Sequence, residues 1–222
     1  MSFSASLKDR AKDVWEAGYQ HPFVQGIGQG TLDKGAFKFY LLQDYLYLLE
    51  YSKVFALAAI KADREDWMTN CAKSQYFILA NEMGVHRQYM ESFGITPDEV
   101  RAVKPSLFNK AYTANMLSTG LTFGFAELIA TVFPCAWTYC DYGKRLKAQY
   151  ADTLEGNFYR SWIETYASDD FHDSFQWFYP ALDTLAERMS DAERERIVDI
   201  FTSSVEFEYL FWDMAYKQQM SF

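Results

Sequence analysis

Helical periodicity runs through almost the whole chain and limits the folds that are open to it. Apolar residues recur at the three- and four-residue spacing of amphipathic helices, and no stretch shows the sustained alternation of a strand. Short turns separate the longest periodic segments, which cover 31–62, 65–92, 122–149 and 191–219. Long helices joined by short turns are typical of an antiparallel helical bundle, which builds its sites from core-facing side chains in mid-helix. We therefore predict an all-α fold with a functional site inside the bundle.

Capping residues set several of the predicted helix boundaries. Thr96 and Ser190 each open a capping box, which predicts a short helix after Thr96 and the start of the last long helix. Gly94 is the predicted terminator of the segment before it. The glycines at 26, 28 and 30 predict a loop over 21–30. The remaining predicted helices cover 5–19, 106–118, 155–167 and 170–188.

The composition favours one domain with an internal cavity. A chain of 222 residues can bury a substantial core, and it contains no low-complexity linker and no repeat of fixed period. We therefore predict a single domain over 1–222. The 16 tyrosines exceed what a dry core accommodates, because each buried hydroxyl needs a hydrogen-bond partner. A cavity that binds a flat polar ligand would accommodate several of them.

The charge and the cysteines of the chain bear on its partners and its location. Lys and Arg number 21 against 30 Asp and Glu, a formal net charge of -9, and no basic stripe suggests nucleic acid. The N-terminal helix is charged throughout, and no uncharged apolar run approaches membrane-spanning length, so we expect a soluble chain without a membrane partner. Cys71, Cys135 and Cys140 form no Cys-x-x-Cys pair. Free thiols and the lack of an export signal predict a cytoplasmic location.

Pro134 precedes Cys135 inside a strongly helical segment. A proline supplies no N–H group and crowds the carbonyl group four residues back, so we predict a kink or local unwinding beside the thiol. Tyr139 lies one turn further along. A buried cysteine is usually an inert apolar residue, and the alternative is a reactive thiol that faces a cavity. The spacing alone leaves both interpretations open.

Two other helices carry carboxylates among apolar residues. Asp44, Tyr47 and Tyr51 share one face of the second long helix, where a buried carboxylate must be paired or used. The purely structural interpretation is that the Asp44 carboxylate accepts a hydrogen bond from a neighbouring tyrosine. In the last helix Glu206 and Glu208 project about 200° apart, so only one of them can face the core. We predict that Glu208 points inward and that Glu206 is solvated.

The histidines offer little for a metal site. Glu82 with His86 and Asp169 with His172 have helical spacing, but a di-iron bundle uses Glu-x-x-His units and the chain has none. We therefore expect no metal and interpret Glu82 and His86 as a structural pair. The chain also lacks a P-loop, a dinucleotide-binding glycine motif and a Gly-x-Ser-x-Gly motif.

Together these residues resemble the TenA family, or thiaminase II, of thiamin salvage. The resemblance runs the whole length and is most specific in two motifs, Pro-Cys-Ala-Trp-x-Tyr at 134–139 and Glu-Tyr-x-Phe-Trp at 208–212. It implies a heme-oxygenase-like helical fold, a homotetramer, and no metal or organic cofactor. It also implies hydrolysis of 4-amino-5-aminomethyl-2-methylpyrimidine, and of thiamin, to 4-amino-5-hydroxymethyl-2-methylpyrimidine.

The resemblance also implies a role for each matching residue. Cys135 would be the nucleophile and Glu208 the general acid and base. Asp44 would hold the 4-amino group and the adjacent ring nitrogen, and Tyr47 would stack on the ring. Three further tyrosines would line the pocket: Tyr112, Tyr139 and Tyr166.

Two interpretations from other classes remain open at this point. The first is a non-catalytic binding or regulatory protein, because a fold does not fix a function. The second is an iron-dependent oxygenase of the heme-oxygenase-like group, which the shortage of histidines disfavours. A turnover assay on aminopyrimidine tests the first alternative, and metal analysis of the purified protein tests the second.

Overall fold

A computed structural model describes residues 2–221, and their secondary structure is entirely helical. The predicted all-α class is therefore confirmed. The α-helices, in chain order, are α1 (Phe3–Arg10), α2 (Lys12–Tyr19), α3 (Pro22–Gln29), α4 (Lys34–Lys61), α5 (Glu65–Phe77), α6 (Met83–Ser92), α7 (Pro97–Ala102), α8 (Leu107–Thr122), α9 (Phe125–Gln149), α10 (Arg160–Tyr166), α11 (Asp169–Phe175), α12 (Phe178–Ala186) and α13 (Asp191–Lys217). A π-helical turn, Ile78–Glu82, connects α5 to α6, and a 3₁₀ turn, Ala151–Gly156, follows α9.

The predicted capping signals occur in the structure. The hydroxyl groups of Thr96 and Ser190 accept hydrogen bonds from the backbone N–H groups three residues on, and both capping boxes are complete. Gly94 follows the end of α6 with a φ of 64°, a left-handed conformation that few residues other than glycine adopt. These local signals were correctly predicted because each depends on a few neighbouring residues.

Several predicted boundaries are wrong; the predicted helix 155–167, for example, begins only at Arg160. The predicted helix 5–19 is divided at Ala11, the predicted helix 170–188 is divided into α11 and α12, and the predicted loop 21–30 contains α3. Gly28 explains the last error. A Cβ atom at Gly28 would lie 2.4 Å from the ring of Tyr150, so this glycine allows close helix packing and does not break the helix.

Helix α9 is the centre of the bundle. It packs most extensively against α13, and α4 packs against α5, α8 and α13. All residues from 125 to 136 are buried, so this half of α9 is enclosed on every side. The helix continues through Pro134, and the local unwinding predicted beside Cys135 does not occur. The enclosing helices hold the backbone although the proline removes one hydrogen bond.

Among residues 2–221, no helix is both long enough and apolar enough to span a membrane.

Candidate active site

The seven predicted site residues are all buried, and they belong to five helices. None of them is more than 6% exposed to solvent. They are Asp44 and Tyr47 on α4, Tyr112 on α8, Cys135 and Tyr139 on α9, Tyr166 on α10, and Glu208 on α13. The structure thus brings side chains from distant parts of the chain into the bundle interior.

Glu208 is a buried acid held by a tyrosine. The Tyr112 hydroxyl donates a hydrogen bond of 2.6 Å to Oε1 of Glu208. Burial raises the pKa of Glu208 to about 8, although the hydrogen bond from Tyr112 lowers it. Glu206 is exposed, so the prediction that only Glu208 faces the core is confirmed. At neutral pH Glu208 is therefore mainly protonated and can donate a proton.

Cys135 lies close to this acid. Burial raises the pKa of the Cys135 thiol well above its ordinary value, and the charges of Glu208 and Glu82 act in the same direction. The nearby Tyr47 side chain acts in the opposite direction. The ring centroids of Tyr47 and Tyr112 are 5.0 Å apart. The resting group is therefore a thiol, and a thiolate requires that a base takes its proton.

Two side chains donate hydrogen bonds to the same carboxylate oxygen of Asp44. The Tyr40 hydroxyl donates to Oδ2 at 2.9 Å, and Nε2 of His86 lies 2.5 Å from the same oxygen. Within residues 2–221 no hydrogen bond reaches Oδ1. Nδ1 of His86 donates to the carbonyl oxygen of Glu82 at 3.1 Å, because a carbonyl oxygen can only accept. The pair fixes the carboxylate and leaves Oδ1 as a free acceptor.

The protonation of His86 follows from these contacts. Burial alone would lower the pKa of His86, but the hydrogen bond and charge of Asp44, together with Glu82, raise it above its ordinary value. A protonated His86 donates from both ring nitrogens, which matches its two acceptors.

The predicted pairing of Glu82 with His86 is wrong for the side chains. The Glu82 carboxylate accepts a hydrogen bond of 3.0 Å from the Tyr166 hydroxyl, and His86 contacts only the Glu82 backbone. Burial raises the pKa of Glu82 to about 7, and Asp44 acts in the same direction. The sequence showed the spacing of Glu82 and His86, but the partner of His86 lies 42 residues away.

Aromatic residues complete the interior. The ring of Tyr139 lies 4.7 Å from that of Tyr166 and 4.9 Å from that of Trp212, measured between centroids. Nε1 of Trp162 donates to the Tyr40 hydroxyl at 3.3 Å. Sequence reasoning missed Tyr40, although it precedes Asp44 by one helical turn. It missed Trp162 because nothing local connects α10 to α4.

A small cavity connects Cys135 to Glu82. It has a volume of about 20 Å³, room for one water molecule, so a pyrimidine enters only if the walls move. Of the seven predicted residues only Cys135 lines it, although Tyr166 hydrogen-bonds to the lining residue Glu82. This cavity, defined as the inner cavity, is lined by Tyr51, Phe55, Ser74, Phe77, Ile78, Glu82, Cys135, Ala136, Phe171, Ser174, Phe175 and Phe178.

Possible metal ligands are dispersed. Within residues 2–221 no three His, Cys, Asp or Glu side chains form a group that could hold a metal ion. Nδ1 of His172 lies 3.3 Å from Oδ1 of Asp173 at the surface.

Comparisons with known proteins match almost the whole chain. An aminopyrimidine aminohydrolase from Halalkalibacterium halodurans is 41% identical, over 99% of this chain and 98% of that protein. The crystal structure of a TenA family transcription regulator from Silicibacter sp. TM1040 superposes with a TM-score of 0.89 at 32% identity, covering 96% of this chain and 95% of the other.

A more distant structure shows the fold alone. Heme oxygenase-1 from the cyanobacterium Synechocystis sp. PCC6803 superposes with a TM-score of 0.65 at 17% identity, over 96% of this chain and 91% of that one. The predicted heme-oxygenase-like fold is therefore confirmed. Residues 8–218 match the model of the TENA/THI-4/PQQC family. With this match and the similarity over nearly the full length, the chain belongs to the TENA/THI-4/PQQC family.

Proposed function

We propose that this protein hydrolyses 4-amino-5-aminomethyl-2-methylpyrimidine to 4-amino-5-hydroxymethyl-2-methylpyrimidine and ammonia in thiamin salvage. Its similarity to an enzyme named aminopyrimidine aminohydrolase supports the reaction. One observation carries the proposal: a protonated Glu208, held by Tyr112, lies beside the buried thiol of Cys135. A nucleophile next to an acid is the pair that cleavage of an aromatic methylene amine requires.

Covalent catalysis by Cys135 fits the difficulty of this reaction. The electrons needed to expel the amine are held in the aromatic ring. A soft nucleophile that adds to a ring carbon breaks the aromaticity and divides one hard step into easier steps. In our mechanism the Cys135 sulfur forms this bond, ammonia then leaves from the methylene carbon, water attacks that carbon, and the sulfur leaves to restore the ring.

Glu208 provides the proton transfers at the ring. Its raised pKa, about 8, keeps it protonated at neutral pH. Glu208 protonates the ring nitrogen while Cys135 attacks, and the resulting carboxylate takes the thiol proton. This exchange explains how a thiol with a raised pKa becomes a nucleophile, since deprotonation occurs only when substrate is bound. The same transfers run in reverse when the sulfur leaves.

Asp44 recognises the pyrimidine in our proposal. Its Oδ2 is occupied by Tyr40 and His86, so Oδ1 is the acceptor for the 4-amino group of the substrate. Tyr47 stacks on the ring. Tyr112, Tyr139 and Tyr166 line the pocket once the inner cavity has widened.

The finer features of the proposal have separate support. Thiamin contains the same aminopyrimidine half, so the same contacts apply to it. The free cysteines are compatible with a reducing cytoplasm. We further propose that single-domain chains over 1–222 assemble as a homotetramer; Ile60, Tyr76 and Leu121 are large apolar side chains exposed on the surface and available to an interface.

Turnover in isotopically labelled water tests the proposal. Purified protein is incubated with the aminomethylpyrimidine in H₂¹⁸O, ammonia is quantified and the product is analysed by mass spectrometry. We expect one ammonia per product and one ¹⁸O atom in the hydroxymethyl group. Tight binding without ammonia release would instead support a regulatory protein, the function named for the Silicibacter relative.

A further inference from the structure

A second buried carboxylate, which the mechanism above does not use, lies on the wall of the inner cavity. Glu82 is 7% exposed and lines this cavity together with Cys135. The Tyr166 hydroxyl holds its Oε1 at 3.0 Å. A buried carboxylate is costly unless it is paired or used, and one hydrogen bond leaves most of its acceptor positions open.

The local backbone directs Glu82 into the cavity. Glu82 is the last residue of the π-helical turn Ile78–Glu82, a type of turn that occurs frequently at functional sites. Ile78 and Glu82, the first and last residues of this turn, both line the inner cavity. At the same position the carbonyl oxygen of Glu82 accepts from His86, which ties this turn to Asp44.

Glu82 also separates the inner cavity from a larger pocket outside it. The outer pocket has a volume of about 390 Å³, and Phe77, Glu82 and Phe171 line both spaces. Its other lining residues include Glu164 and Asp170. From the inside outward the order is therefore Cys135, Glu82 and the outer pocket.

The leaving group of the substrate is positively charged, so a carboxylate such as Glu82 can bind it. An aliphatic amine is protonated at neutral pH, so the aminomethyl group of the substrate is a cation. A cation in the bundle interior needs an anionic partner. Asp44 is engaged by Tyr40 and His86, and Glu208 is mainly protonated, which leaves Glu82. Asp170 in the outer pocket favours departure of ammonium, whereas the charge of Glu164 is paired with Arg160.

We propose that Glu82 binds the aminomethyl ammonium of the substrate and then takes a proton from the attacking water. This inference rests on the function proposed above. The C–N bond breaks and its electron pair leaves with ammonia. The water oxygen bonds to the methylene carbon while one water proton moves to Glu82. Glu82 passes this proton to ammonia, which departs as ammonium, and the carboxylate is restored.

The decisive experiment compares two ligands that differ only in the leaving group. Calorimetry measures the Kd of the aminomethylpyrimidine and of the hydroxymethylpyrimidine in a Cys135→Ser background, with and without Glu82→Gln. We expect Glu82→Gln to weaken binding of the amine at least about tenfold and to change binding of the alcohol less than about twofold. Equal changes for both ligands would overturn the inference and leave Glu82 a structural role.

Turnover gives the second readout. In the otherwise unchanged enzyme, Glu82→Gln should lower kcat at least about 100-fold, the scale of a single general base. Glu82→Asp, which keeps the charge, should restore part of this loss. Glu127→Gln is the matched control, because Glu127 is also 7% exposed but pairs with Arg196 outside both cavities. A kcat for Glu82→Gln within about threefold of the wild-type value would refute the proton transfer.

The pH profile separates a base from a structural group. Glu82 acts as a carboxylate, so kcat/KM should fall as the pH drops through about 7, and Glu82→Gln should remove this dependence. The groups that face Glu82 are Asp44 and Tyr51 on α4, His86 on α6, Cys135 on α9, Tyr166 on α10 and Glu208 on α13. If the wild-type enzyme releases no ammonia, the proposed function fails, while the two Kd values still decide whether Glu82 binds the amine.

Discussion

Removing the hydroxyl of Tyr112 should move the alkaline limb of the pH profile of kcat/KM to higher pH. Glu208 must be protonated to act, so activity is lost as the pH rises through its pKa of about 8. The Tyr112 hydroxyl donates to Oε1 at 2.6 Å and lowers this pKa. In Tyr112→Phe the carboxylate loses its donor, so the acid form persists to higher pH.

The size of the shift follows from the hydrogen bond. A hydrogen bond to a charged group contributes about 1.5–3 kcal/mol, and one pKa unit corresponds to about 1.4 kcal/mol. The hydroxyl also bonds to the neutral acid, so only part of this energy distinguishes the two forms. We therefore expect the limb to move up by about one pH unit.

The assay is the pH dependence of kcat/KM for ammonia release, because this ratio reports the groups of the free enzyme. Tyr159→Phe is the matched control: its hydroxyl also donates at 2.6 Å and is equally buried, but its acceptor is the carbonyl oxygen of Leu32. An alkaline limb that stays fixed or moves downward in Tyr112→Phe would refute the assignment of Glu208 as the acid.

Two further variants test the acid and the recognition of the pyrimidine. Glu208→Gln should lower kcat by about 10²–10⁴, the range for a general acid, whereas the exposed Glu206→Gln should leave it unchanged; similar losses in both would contradict the inward orientation. Asp44→Asn should weaken the calorimetric Kd of the hydroxymethylpyrimidine at least about tenfold, because a donor replaces an acceptor beside His86. An unchanged Kd would remove Asp44 from recognition.

Local sequence patterns correctly predicted the features that depend on a single helix, namely side-chain orientation and helix caps. The opposite orientations of Glu206 and Glu208 follow from 100° per residue, because α13 is a regular helix over 27 residues. The capping boxes at Thr96 and Ser190 are likewise local. Gly28 misled the prediction, since the residue it accommodates, Tyr150, is distant in sequence.

The errors in the site have a physical origin in tertiary contacts. Helical spacing places Glu82 and His86 on one face, but the Glu82 side chain pairs with Tyr166 on α10 and His86 pairs with Asp44 on α4. A single sequence does not reveal a π-helical turn or the packing of α4 against α6. The inner cavity was missed for the same reason, because Phe171 and Phe175 reach it from α11.

The central claim is that Cys135 is the nucleophile, and the turnover of Cys135→Ser tests it most directly. The hydroxyl is similar in size but a much weaker nucleophile, so we expect kcat below about a hundredth of the wild-type value. The Kd of the hydroxymethylpyrimidine should change less than about threefold. Cys71→Ser, at another fully buried cysteine, should turn over normally. A Cys135→Ser variant that keeps more than about a hundredth of the wild-type kcat would contradict covalent catalysis.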